Sequence, residues 1–306
     1  MASPAASEVY IIDASDRYHA VETLWHEIGP PPLEGKAVAV KANFNSDDPF
    51  PATTHPEMLE AVLGKVRDAG AREVQLGERS GMGTTHVVLK NRGAVEIAAR
   101  TGAEVVALDG LSLDGWEAIP PDGLHWERGF LIARLFREAD AVVQTCCLKT
   151  HRFGGDVSLS LKNPVGAVAA RDPGSGYNYM AELHASPHQR RMIAEINRFF
   201  PCDVTILDAT RGFSSGGPEQ GDIIAPNVIL ASTDRVALDA AGIALLRRYG
   251  STPEVTRGRI FAMDPIARAA ELGIGVRSAE DLRLVALDSE SKEIALDMRR
   301  ILDEAA

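Results

Sequence analysis

The chain has 306 residues, 45% of them hydrophobic in the broad sense and 25% charged, with 27 Gly and 17 Pro, which excludes a disordered, collagen-like or bare coiled-coil protein. Against 32 basic residues stand 43 acidic ones, and the net charge of -11 argues against nucleic acid or an anionic membrane as partner while leaving room for a local positive pocket. Three cysteines, Cys146, Cys147 and Cys202, with no CxxC pair, exclude a disulfide-built domain and disfavour an iron-sulfur cluster or structural zinc.

The opening MASPAASEVYIID has neither the basic start nor the long apolar run of a signal peptide, and no later stretch holds about 18 uninterrupted apolar residues, so a cytoplasmic location is expected. After a loose start, a strand is predicted over 8–12 and a helix over 18–28, ended by Gly29-Pro30-Pro31-Pro32. A compact apolar strand over 37–41 leads into a polar loop, and a helix over 56–69 follows with Met58, Leu59, Val62, Leu63 and Val66 on its apolar face. Next come a strand over 73–76, a glycine-rich connection over 77–83 and one helix from Thr84 or Thr85 to Ala99. A strand over 104–108 presents Asp109 at its end, a helix is predicted over 131–136, and a buried strand over 141–145. An edge strand over 157–161, a turn over 162–166 and a loop or lid over 171–179 precede a helix resuming at Pro187. A strand over 204–207 ends in Asp208, a flexible connection spans 212–221, and a strand over 228–230 leads to a helix capped by Asp234. The tail reads as a short helix over 266–272, a strand over 284–287 and an amphipathic helix over 291–302.

Strand-like runs separated by helices predict an α/β fold with a mostly parallel central sheet and helices on both faces, in one or two lobes, because parallel strands need long crossovers. The expected organisation is an N-terminal segment over 1–36, a core over 37–250 and an integrated C-terminal extension over 251–306.

Three constellations carry chemistry. Lys41-Ala42-Asn43-Phe44-Asn45, followed by Thr53-Thr54-His55-Pro56, offers a cation for an anionic group, two amides to orient it and an imidazole to move a proton or hold a metal. The loop from Gly77 to Thr85 could cradle an anion on free N–H groups with Arg79 adding a contact, or serve only as a close turn. Lys149-Thr150-His151, with Ser158-Leu159-Ser160-Leu161-Lys162-Asn163 beyond a double glycine, is the densest group of bases; Lys149 and His151 share a side of an extended strand, and Lys162 needs the glycine turn to fold back.

Taken with Gly77-Glu78-Arg79-Ser80-Gly81 and Asp208-Ala209-Thr210-Arg211-Gly212-Phe213, these motifs resemble the domain-of-unknown-function family numbered 362 over about residues 37–245. The resemblance implies an α/β fold and functional positions at Lys41, Asn43, His55, Lys149, His151, Lys162, Asn163 and Asp208. Some members look redox-associated through cysteine-rich iron-sulfur modules that this chain lacks, and Lys41-Ala42-Asn43 departs from the family's more usual lysine-proline-asparagine.

The expected activity is acid-base chemistry of a lyase or isomerase type on a small anionic metabolite at the C-terminal strand ends. In that reading His151 is the acid or base, Lys149 and Lys162 stabilise developing negative charge, and Lys41, Asn43, Asn45, His55, Arg79 and Asn163 hold the substrate. One alternative is a metal-dependent hydrolase or oxidoreductase with a divalent ion on His55, Glu78, Asp109, His151 and Asp208. The other is a noncatalytic small-anion-binding protein or scaffold, a role compatible with a homo-oligomer.

Overall fold

The computed structural model describes residues 6–304, and the loose start expected at 1–5 lies outside them. In chain order the strands are β1 (Ser7–Asp13), β2 (Ala37–Lys41), β3 (Glu73–Glu78), β4 (Glu104–Ala107), β5 (Trp116–Ile119), β6 (Phe130–Ala133), β7 (Ala141–His151), β8 (Asp156–Val157), β9 (Val204–Phe213), β10 (Ile223–Ile224), β11 (Val228–Ser232) and β12 (Leu282–Ala286). The main sheet runs β12-β1-β11-β9-β7-β2-β3-β4, with β8 and β10 as short additions to β7 and β9, while β5 and β6 form a separate antiparallel pair. All neighbours along the main path are parallel except β1 with β11 and β11 with β9, so β11 alone runs against the other seven. The protein is therefore α/β with a mostly parallel central sheet.

Side-chain alternation explains why both faces are covered. Along β2, Val38 and Val40 enter the core beneath the helices Arg17–Ile28, Pro56–Asp68 and Ala94–Thr101, while Ala39 between them enters the core on the opposite face. Ile206 and Leu207 of β9, and Ile229 and Leu230 of β11, divide in the same way. The opposite face is closed by the helices Arg235–Arg248, Asp264–Glu271 and Ser289–Glu304 over β1 and β11, and by Gln189–Ile196 with Phe136 over β2 and β7. Among the described residues no helix is long and apolar enough to cross a membrane.

Several local elements differ from the sequence expectation. The helix expected over 131–136 is present only from Arg134, as Arg134–Glu138, while Leu131 to Ala133 belong to strand β6, whose residues Phe130 to Ala133 are all buried and so carry no period that separates strand from helix. The helix over 85–99 is two helices, Thr85–Asn91 and Ala94–Thr101, broken at Gly93, whose φ of 72° lies in the left-handed region. The strand over 157–161 stops at Val157, since the N–H groups of Ser160 and Leu161 donate to the Asp239 carboxylate at 2.8 and 3.0 Å and no neighbouring strand receives them. The helix expected from Pro187 spans Gln189–Ile196, with a second helix, Tyr179–Ala185, ahead of it.

Three features of this frame place the chemistry. β2, β3 and β7 run in one direction, so Lys41, Glu78 and His151 all fall at the same sheet edge. β7 is eleven residues long and buried throughout. Its pairing with β9 shifts register after Cys147, which faces Asp208, so that Leu148 faces Gly212, and this irregularity carries Lys149 and His151 past the regular sheet.

Candidate functional site

A cavity of about 50 Å³ opens at this edge, lined by Lys41, Asn43, Asn45, Glu78, Arg79, His151, Ser158, Lys162, Asn163 and Gly166 among others. Its floor is a fixed polar chain. Lys41 Nζ donates to Glu78 Oε1 at 2.7 Å, to the Ala42 carbonyl at 2.7 Å and to Asn163 Oδ1 at 3.4 Å. Asn43 Nδ2 donates to the same Asn163 oxygen at 3.4 Å, and Asn163 Nδ2 donates to Gln144 Oε1 and the Thr145 carbonyl, each at 3.2 Å. Lys149, fully buried, donates to Asn43 Oδ1 at 2.7 Å and to the Ala52 carbonyl. It stands behind Asn43, outside the cavity lining, and contributes charge through that amide.

Burial sets the protonation of the group. It pulls Lys41 down and pushes Glu78 up, opposed by their mutual attraction at 2.7 Å. Lys149 is lowered chiefly by burial, against the pull of Cys147, Cys146 and Glu219, and among the described residues it hydrogen-bonds only to neutral acceptors. Lys162 makes no hydrogen bond or ion pair among the described residues, is partly open to the cavity, and is pulled down to about 7 by burial, Lys149 and Arg79. His151 is 6% exposed and is held far below the ordinary imidazole range by burial first and then by Lys162 and Lys149. Its Nδ1 has no hydrogen-bond partner among the described residues. A Cβ built on Gly155 would lie 3.0 Å from His151 Nδ1 and 3.0 Å from Lys162 Cε, so the glycine turn does bring the two side chains together.

The remaining expected positions sort by what already occupies them. Arg79 lines the cavity but spends four of its five donors, through Nε on the Val168 carbonyl at 2.7 Å and otherwise on the Val165 and Ser80 carbonyls and Met180 Sδ. It straps the 165–168 segment over the pocket. Asn45 accepts Gly81 and Met82 N–H on its carbonyl, and Ser80 N–H goes to Thr85 Oγ1, so the glycine loop has no free cradle at these amides. His55 caps the helix Pro56–Asp68 and lines a different cleft with Arg17 and Phe50.

The five-residue metal set is not gathered. Asp109 receives Thr85 N–H at 3.1 Å, Asp208 receives Arg17 Nε at 2.9 Å and Thr210 Oγ1 at 2.7 Å, and Glu78 is held by Lys41. Among the described residues no three His, Cys, Asp or Glu side chains group so as to hold a metal ion. The cysteines are free, with Cys146 and Cys147 buried and Cys147 pushed up to about 12 by burial, which makes them inert as thiolates.

Asp239 was not foreseen. It lies 2% exposed in the helix Arg235–Arg248 and accepts from Ser160 N and Leu161 N, fixing the turn that delivers Lys162. The available signal was a lone acid inside the apolar run Val-Ala-Leu-Asp-Ala-Ala-Gly-Ile-Ala-Leu-Leu.

Comparison with known proteins gives three findings. A family model described as "Domain of unknown function (DUF362)" matches residues 38–244. The thylakoid-associated protein sll1697 of Synechocystis sp. (strain ATCC 27184 / PCC 6803 / Kazusa) is 25% identical over 215 residues, which is 70% of this chain and 64% of that protein, so the chain spans less than two thirds of this relative's length. The lactate racemase apoprotein from Thermoanaerobacterium thermosaccharolyticum superposes with a TM-score of 0.46 at 12% identity, over 94% of this chain and 85% of that one.

Proposed function

The chain belongs to the DUF362 family, and on that premise we propose, from the chemistry of its own cavity, that it binds the acid group of a small 2-oxo acid and transfers a proton at the carbon beside the keto group. The observation that carries this reading is the meeting of Lys41, Lys162, His151 and Asn163 in one small cavity. Among the described residues neither Lys149 nor Lys162 forms an ion pair, so an entering anion supplies a close counter-charge.

Within the site the roles differ from the sequence expectation. An amine held near 7 is populated in both protonation states at neutral pH, which suits Lys162 to take up and return the proton. His151 is neutral across that range and acts as a hydrogen-bonding group through Nδ1. Lys41 and Asn163, whose donors are committed to Glu78, Gln144, backbone carbonyls and one another, form a fixed wall beside the acid, and the field of Lys149 favours the enolate-like charge that develops when the proton leaves.

The test is deuterium exchange at C3 of 2-oxobutanoate in D2O, followed by proton NMR. Exchange above the buffer rate is expected, rising with pH as Lys162 loses its proton, which in the anion complex happens above the free-site value of about 7, and Lys162→Met should lower it by about 10²–10⁴-fold. Saturable binding with no exchange would instead support a binding module, and neither binding nor exchange would overturn the anion reading.

A further inference from the structure

The small cavity does not end at His151 and Lys162. Asn45, Arg79, His151, Lys162, Val165 and Pro218 also line an adjoining cleft of about 480 Å³. The inner space of about 50 Å³ has room for a few atoms, on the scale of one acid group, since each water-sized occupant needs about 10–15 Å³. The outer cleft falls in the size range of pockets that enclose most of a small organic ligand.

The outer walls differ in chemistry from the inner ones. Met82, Met180, Val165 and Phe153 contribute to them, and Met82 and Phe153 are 42% and 47% exposed. Phe153 is braced in place, its ring 5.7 Å from the His151 ring in an edge-on contact and 4.4 Å from Arg152 Cζ. The two methionines offer polarizable, adaptable surface, and four of the five Arg79 donors nearby are already spent. Asn45, Arg171, Asn178 and His184 border the cleft as well, so it offers polar partners beside the apolar ones, and an apolar extension would cover Met82 and Phe153, which otherwise face water.

We propose that the natural ligand is a carboxylic acid bearing an apolar tail at least the size of a phenyl ring, its acid group against Lys162 in the inner cavity and its tail between Phe153, Met82 and Met180. This rests on the anion-binding reading above and extends it to the substrate's shape.

The experiment compares acetate, 3-phenylpropanoate, 3-phenylpropanol and inorganic phosphate by calorimetric titration of the full chain, with methionine-methyl NMR as a second readout. The expected result is that 3-phenylpropanoate binds about tenfold or more tightly than acetate, and more tightly than the uncharged alcohol. It should shift the methyl signals of Met82 and Met180 where acetate does not. Phe153→Ala and Met82→Ala should each reduce the preference for the longer acid over acetate. Equal affinity for the two acids, or a preference untouched by both variants, overturns the tail while leaving the anion site standing. Phosphate binding more tightly than either acid overturns the carboxylate assignment. If no anion binds, and Lys162→Met is indistinguishable from the parent, both the shape and the underlying reading fall.

Discussion

Lys162 is defined more by what it lacks than by what it touches. An amine without a hydrogen-bond acceptor among the described residues, facing Lys149, Arg79 and a neutral His151, is held near 7, so an anion arriving beside it raises its affinity for a proton. Carboxylate binding at pH 8 should therefore take up about one proton per site, read from calorimetry in buffers of different ionisation enthalpy. Lys162→Met should abolish that uptake. Lys162→Arg should keep some binding but lose the pH inflection, because a guanidinium does not titrate in this range. Much of this was legible at the level of residues: Lys41, His151, Lys162 and Asn163 stand out as bases and amides after strand ends, and they do line one cavity. Their division of labour was not legible. It depends on burial and on which donors are already committed, and Arg79, which reads as an anion ligand in the sequence, is consumed by the Val165 and Val168 carbonyls.

Elements explain how such a small space is kept open. The turn that carries Lys162 is clamped by Asp239, whose carboxyl is pushed up to about 6 by burial against the pull of Ser160 and Leu161. Between the ordinary carboxyl range and about 6 the folded state binds more protons than the unfolded one, so stability from this group is full at low pH and is lost as pH rises through 6, by about 3 kcal/mol at most. Denaturant titrations from pH 4 to 7 should show this fall, and Asp239→Asn should flatten it. On the facing turn, Gly155→Ala would push a methyl group toward both His151 Nδ1 and Lys162 Cε, each 3.0 Å from the added atom. Acid binding should drop about tenfold or more, a larger loss than the change in melting temperature would explain. The parallel strands were readable because, buried on both faces, they form short apolar runs between helices; the lone reversal of β11 was not, since direction within a sheet leaves no mark on a five-residue apolar segment such as Val228–Ser232. The break at Gly93 and the strand identity of Phe130–Ala133 were lost for related local reasons, one a single left-handed residue, the other a run too uniformly buried to show a period.

At the scale of the whole molecule, the segment from Leu282 to Glu304 is part of the core. β12 pairs in parallel with β1, and the helix Ser289–Glu304 packs Ala295, Met298 and Leu302 into the cluster around the helix Arg235–Arg248. Met298 is fully buried, so Met298→Ala should cost about 2–5 kcal/mol in a chemical denaturation experiment, with acid affinity at saturating folding retained. The shared direction of β1, β2 and β7 has a practical consequence. Ser7, at the beginning of β1, lies at the edge of the sheet opposite the one where Lys41 and His151 emerge. A biotin or surface linker attached ahead of Ser7 would therefore anchor the protein by its far side and leave the cavity mouth facing the flowing solution, the orientation an immobilised-receptor screen for its ligand requires.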